Sequence, residues 1–109
     1  MTAIAQLSTP QQVQARLEEI EHDLALRQNT LEAAAWTWFK VRRDKEREWA
    51  KAYIAASGPV HERKAHADLA VATIGVTEEA EYEAVKAVVR LLEARATIGQ
   101  SLLRSQGRI

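Results

Sequence analysis

The chain of 109 residues has no cysteine, which excludes a disulfide scaffold, a Cys-ligated zinc finger and a thiol nucleophile. It has only four glycines and two prolines, and no glycine-rich loop that would cradle a phosphate. Net charge is also absent: 15 Lys and Arg balance 15 Asp and Glu, so bulk charge attracts no polyanion and only a local patch remains available for that. The apolar stretch around Leu31 to Phe39 is interrupted by Glu32 and falls far short of the ~20 residues a bilayer demands. Met1 to Pro10 lacks a positive charge followed by an apolar core, so no secretory signal and no membrane partner is expected. What is present is 47% apolar and 28% charged residues, a globular balance rather than a disordered one, with abundant alanine. The expectation is one all-α domain over residues 1–109, placed in the cytoplasm.

Helix punctuation is sparse and readable. After a flexible 1–9, Thr9-Pro10-Gln11-Gln12 supplies a capping residue, a proline suited to the first helical position and a glutamine able to complete a capping box. No Gly or Pro follows until Gly58-Pro59, so a long helix is expected over 10–57, roughly 70 Å in length. A second arm follows as helices over 60–73 and 77–105. The β-branched, glycine-containing Thr73-Ile74-Gly75-Val76 should kink it, and Glu78 and Glu79 suit a helix start by their place on the positive dipole end. Two arms of matched length joined by a two-residue turn give a long antiparallel hairpin in which residues whose numbers sum to about 117 face each other.

Apolar periodicity agrees. Val13, Leu17, Ile20, Leu24, Leu31, Ala34, Trp38 and Val41 form one stripe at helical spacing, and Tyr82, Val85, Val89, Leu92, Ala96, Gly99 and Leu103 form its counterpart. The last helix carries a second stripe, Val88, Leu91, Ile98 and Leu102, with Arg95 in the remaining slot. One partner helix cannot cover both stripes, and a two-helix hairpin alone buries little surface. Self-association as a homo-oligomer through the C-terminal helix is therefore expected; the alternative is that residues 60–73 fold back to cover the second stripe in a monomeric three-helix bundle.

Charge is sorted along the chain: residues 1–39 carry net −3, residues 40–66 net +4 and residues 67–109 net −1. All three tryptophans and the single phenylalanine lie between Trp36 and Trp49, interleaved with Lys40, Arg42, Arg43, Lys45 and Arg47 and followed by Lys51 and Tyr53. Cations along the backbone and flat rings under the bases are how single-stranded nucleic acid is held. Trp36, Lys40, Arg43 and Arg47 share one helical face, whereas Trp38, Val41, Lys45 and Trp49 continue the apolar stripe. The competing reading makes the aromatics core and neutralises the cations with Asp44, Glu46 and Glu48.

No catalytic constellation emerges. His61 and His66 are five apart, so on a helix they diverge by roughly 140° and miss the four-residue spacing of a zincin motif. His22 sits among Glu18, Glu19, Glu21 and Asp23 on an acidic face. Ser101 and Ser105 have no histidine near them in sequence. Two narrow helices offer no pocket of the size enzymes use, so a non-enzyme without catalytic or metal-ligating residues is expected.

Several segments resemble those of small helical proteins from tailed bacteriophages: Trp38-x-x-Val41-x-Arg43-Asp44, Trp49-Ala-Lys-Ala-Tyr53, Ser57-Gly-Pro-Val-His-Glu-Arg-Lys-Ala65 and Gln100-Ser-Leu-Leu-Arg-Ser105. Over about residues 24–105 the chain is similar to the UvsY-like recombination mediators, short helical proteins that form closed rings. The resemblance implies a protein that binds single-stranded DNA, helps displace the single-strand-binding protein and loads a RecA-type recombinase, without a cofactor. It places DNA contacts at Lys40, Arg42, Arg43 and Lys51 of the long helix, with Arg63 and Lys64 across the turn; the residues themselves add Trp36 and Arg47. The alternative function is a phage protein-interaction module that binds a host or phage protein through its exposed apolar helix face.

Overall fold

The computed structural model describes residues 9–107, and among these it is all-α: α1 spans Pro10–Ala55, α2 Val60–Ala70 and α3 Val76–Gly107. The expectation for residues 1–9 lies, Thr9 aside, outside the described residues. The start of α1 is a reciprocal capping box. The Gln12 backbone N–H donates to Thr9 Oγ1 at 3.2 Å, and the Thr9 N–H donates to Gln12 Oε1 at 3.4 Å, so two N–H groups that the helix leaves unpaired find acceptors.

The helix ends differ from expectation by one to three residues. α1 stops at Ala55 rather than 57, and Gly58, at φ +106°, turns the chain into α2. α2 stops at Ala70 rather than 73, because Val71, with φ −111° and ψ 7°, leaves the helical region. Short turn bonds from Ala72 N–H to the Leu69 carbonyl and from Ile74 N–H to the Val71 carbonyl then carry the backbone to Gly75, at φ +78°. α3 therefore begins at Val76 rather than 77 and runs to Gly107 rather than 105. Glu78 and Glu79 occupy its first turn, where the dipole favours acids. Both glycines take a left-handed backbone that a side chain disfavours, and each marks a change of direction.

The described residues divide into two compact units. Residues up to Leu31 and from Val85 onward make one, and Glu32–Ala84 make the other. In the first, the early part of α1 packs antiparallel on the later part of α3. Leu17, Ile20 and Ala96 form its buried cluster, with Leu92 and Leu103 against it. Gly99 lets the backbones close in, since a Cβ there would lie 3.2 Å from Leu17 Cδ1. Removing leucine-sized side chains from water contributes about 1.5–3 kcal/mol apiece.

In the second unit, the rest of α1 doubles back through α2 into the start of α3. Trp38, Ala67 and Val71 are buried. The Trp38 ring lies over Gly75, where a Cβ would come within 2.8 Å of the indole, and Phe39 meets Tyr82 in a tilted ring contact of 5.6 Å. Leu17 with Gly99, Trp49 with Asp68 and Tyr53 with Arg63 all fall within one position of the expected register. Trp38 instead meets Gly75, one turn from Glu79, because the non-helical turn brings bare backbone under the ring.

Candidate nucleic-acid interface

Within the unit Glu32–Ala84, the core side of α1 is fixed by its apolar residues: Trp38 is buried, and Val41, Lys45 and Trp49 are half-buried. At about 100° per residue, positions 36, 40, 43 and 47 lie on the opposite side. Trp36, Lys40, Arg43 and Arg47 are all exposed, Trp36 at 77%. The same four-and-three spacing continues through Ala50 to Ile54, which is 75% exposed. No motif in the sequence marks Ile54, although extending the spacing by two more steps reaches it. The face is thus a row of cations with a bare indole at one end and a bare aliphatic side chain at the other.

The cations are not equally committed. Arg42 Nε lies 3.4 Å from Glu46 Oε1, Arg47 Nη1 lies 3.5 Å from Asp44 Oδ1, and Lys51 Nζ lies 3.2 Å from Glu48 Oε1. All six side chains are at least half exposed, so each pair contributes less than about 1 kcal/mol and exchanges readily for another anion. Lys40, Arg43 and Lys64 make no ion pair among the described residues. The expected neutralisation by neighbouring acids therefore occurs at Arg42, Arg47 and Lys51 and spares Lys40 and Arg43.

Arg63 is placed differently from the other candidates. It is half-buried, its guanidinium donates to the Tyr53 carbonyl through Nε at 3.4 Å and Nη2 at 3.3 Å, and its Cζ lies 4.4 Å from the Tyr53 ring centroid. The Tyr53 ring stacks on Trp49 at 5.2 Å and 12°, and Trp49 Nε1 donates to Asp68 Oδ1 at 2.8 Å. Trp49, Tyr53 and Arg63 thus pack the bend, and Asp68 joins them although no sequence motif marks it. A guanidinium over a ring and against a carbonyl is held for packing rather than offered to solvent.

His61 and His66 are both exposed on α2, and no group of three or more His, Asp or Glu is placed to hold a metal among the described residues. No helix among them is long and apolar enough to cross a membrane. Of the second stripe, Val88, Leu91 and Ile98 are 40–50% exposed, while Leu102 is half-buried. Compared with known protein families, characterised proteins and solved structures, the chain has no significant match.

Proposed function

We propose that the chain binds single-stranded DNA along the outward face of α1 and acts as a recombination mediator that helps load a RecA-type recombinase onto strands covered by single-strand-binding protein. The observation that carries the DNA contact is Trp36, 77% exposed and in line with Lys40 and Arg43, two cations without ion pairs among the described residues. An indole this exposed contributes little to the packing of its own unit, whereas beside cations it offers a base a stacking surface worth about 1–3 kcal/mol. Arg42, Arg47 and Lys51 would trade their acidic neighbours for phosphates as a strand arrives, and Lys64 extends the charge onto α2. Arg63 supports this surface by holding the bend. The mediator role rests on the resemblance to the UvsY-like proteins over about residues 24–105. The protein acts by binding, with no cofactor and no bond chemistry of its own.

The test is a titration of fluorescein-labelled single-stranded oligonucleotide at low and high salt. Binding should weaken steeply with salt, because counterions leave the strand when cations replace them. Trp36→Ala and Lys40→Ala/Arg43→Ala should each weaken it while far-ultraviolet circular dichroism stays unchanged. A second reading, a module that binds a host or phage protein, is favoured by the exposure of Val88, Leu91 and Ile98. Absence of oligonucleotide binding at low salt would select it.

A further inference from the structure

Phe39, the single phenylalanine, stays 46% exposed although its ring packs within the unit Glu32–Ala84. It meets the Tyr82 ring of α3 at 5.6 Å and 60°, a tilted contact that holds the side chain and leaves nearly half of the residue in solvent. At about 100° per residue, Phe39 lies about 60° from Trp36 and about 40° from Arg43 around α1, and Lys40 lies about 40° beyond Trp36. Trp36, Phe39, Lys40 and Arg43 are therefore one exposed patch of two rings and two cations, and neither cation makes an ion pair among the described residues.

The spacing of the rings selects a ligand. Side chains three positions apart on a helix start about 5–6 Å from each other. Bases in a duplex follow one another at about 3.4 Å, so two neighbouring bases reach both rings only where the step between them opens. A single strand opens readily, whereas a duplex must first unpair to offer its flat faces. Glu32, exposed one turn before Trp36, repels phosphate, so the strand leaves the rings toward Arg43 and Arg47. Because Tyr82 already holds Phe39, seating a base on that ring gives up little side-chain freedom.

We infer that Phe39 is a second base platform, and that the ligand of this face is a strand with two adjacent unpaired bases, one on Trp36 and one on Phe39, its phosphates at Lys40 and Arg43. The inference rests on the single-strand reading of this face and adds that bases, at two positions, are held as well as phosphates. The probes are a fluorescein-labelled oligothymidylate of about twelve nucleotides and an abasic strand of the same length, which keeps the phosphates and lacks the bases. One base on one ring tightens binding by about tenfold, so the parent should prefer oligothymidylate by about a hundredfold at low salt. Phe39→Leu, which keeps an apolar side chain against Tyr82, should cut that preference to about tenfold, and Phe39→Tyr should retain it. Should Phe39→Leu fail to fold, the parent decides with strands otherwise abasic: two adjacent thymidines should recover the full preference and one thymidine only about tenfold. An undiminished preference in folded Phe39→Leu, or full recovery by one thymidine, overturns the inference. Equal affinity of the parent for the two probes also overturns it and leaves a contact made by cations alone. Binding of neither probe at low salt overturns the single-strand reading together with it.

Discussion

Trp49 and Asp68 stand nineteen residues apart and are joined by a 2.8 Å hydrogen bond from the indole N–H to the carboxylate, which ties α1 to α2 across the bend. The same indole stacks on Tyr53, so one side chain contributes both area and a polar tether. Trp49→Phe keeps a ring for the stack and removes the donor together with part of the indole's area. Because Asp68 is exposed and water can replace the missing donor, the expected loss is about 1 kcal/mol rather than the larger figure of a buried charged bond. Urea unfolding of Trp49→Phe, Asp68→Ala and the double variant checks this. The two single losses should overlap in the double variant by the share due to the bond, since each breaks it.

Gly75 and Gly99 respond unequally to alanine. At Gly75 the backbone is left-handed and a Cβ would lie 2.8 Å from the Trp38 ring and 3.0 Å from Val41 Cγ1, so strain and overlap add. Gly75→Ala is expected to cost about 2–3 kcal/mol and to lower the melting temperature by about 10 °C. Gly99 lies inside α3, and a Cβ there meets Leu17 alone, its Cδ1 at 3.2 Å and its Cβ and Cγ at ordinary contact distance. Replacing a mid-helix glycine recovers about 1 kcal/mol of helix propensity, against a small shift of Leu17. Gly99→Ala should therefore stay within about 1 kcal/mol of the parent, as thermal melts would show.

Periodicity made the core side legible. Every residue from Val13 to Val41 in the first stripe, and from Tyr82 to Leu103 in its counterpart, is buried or half-buried. The capping box was equally readable, because Thr9 and Gln12 act over three residues and need no tertiary partner. The three-residue shortening of α2 was not readable, since Val71 and Thr73 differ little in helix propensity and packing decides where the turn begins. At the candidate interface, the exposure of Trp36 follows from spacing alone. The diversion of Arg63 onto Tyr53 does not: it needs the register across the bend to within one residue, and the sequence alone leaves Arg63 looking like its neighbour Lys64.

Trp36 and Trp38, two residues apart, should separate stability from binding. Trp38 is buried over Gly75, and Trp38→Ala is expected to cost about 3–5 kcal/mol by emptying the space above that glycine. Trp36, solvent-exposed, should cost less than about 0.5 kcal/mol when replaced by alanine. Acrylamide quenching gives an independent check: Trp36→Ala should remove the most readily quenched part of the emission, and an oligonucleotide should protect that part in the parent.

Differences in ion pairing among the cations predict a graded response to salt. Each cation removed from a phosphate lowers the slope of log affinity against log salt by about 0.7 for a single strand, so Lys40→Ala/Arg43→Ala should flatten it by about 1.4. Glu46→Gln should act in the other direction, since it removes the acid beside Arg42 and a competing negative charge near the strand; a gain of about twofold in affinity is expected from an exposed pair of this kind. Arg63→Ala should cost about 1 kcal/mol of stability, because it removes the bonds to the Tyr53 carbonyl and uncovers the Tyr53 ring, while leaving the salt slope in place. Lys64→Ala should do the reverse, because its ammonium makes no ion pair among the described residues that the substitution could break. If Arg63→Ala flattens the slope as much as Lys64→Ala, the strand reaches the guanidinium, and the stack on Tyr53 opens when DNA binds.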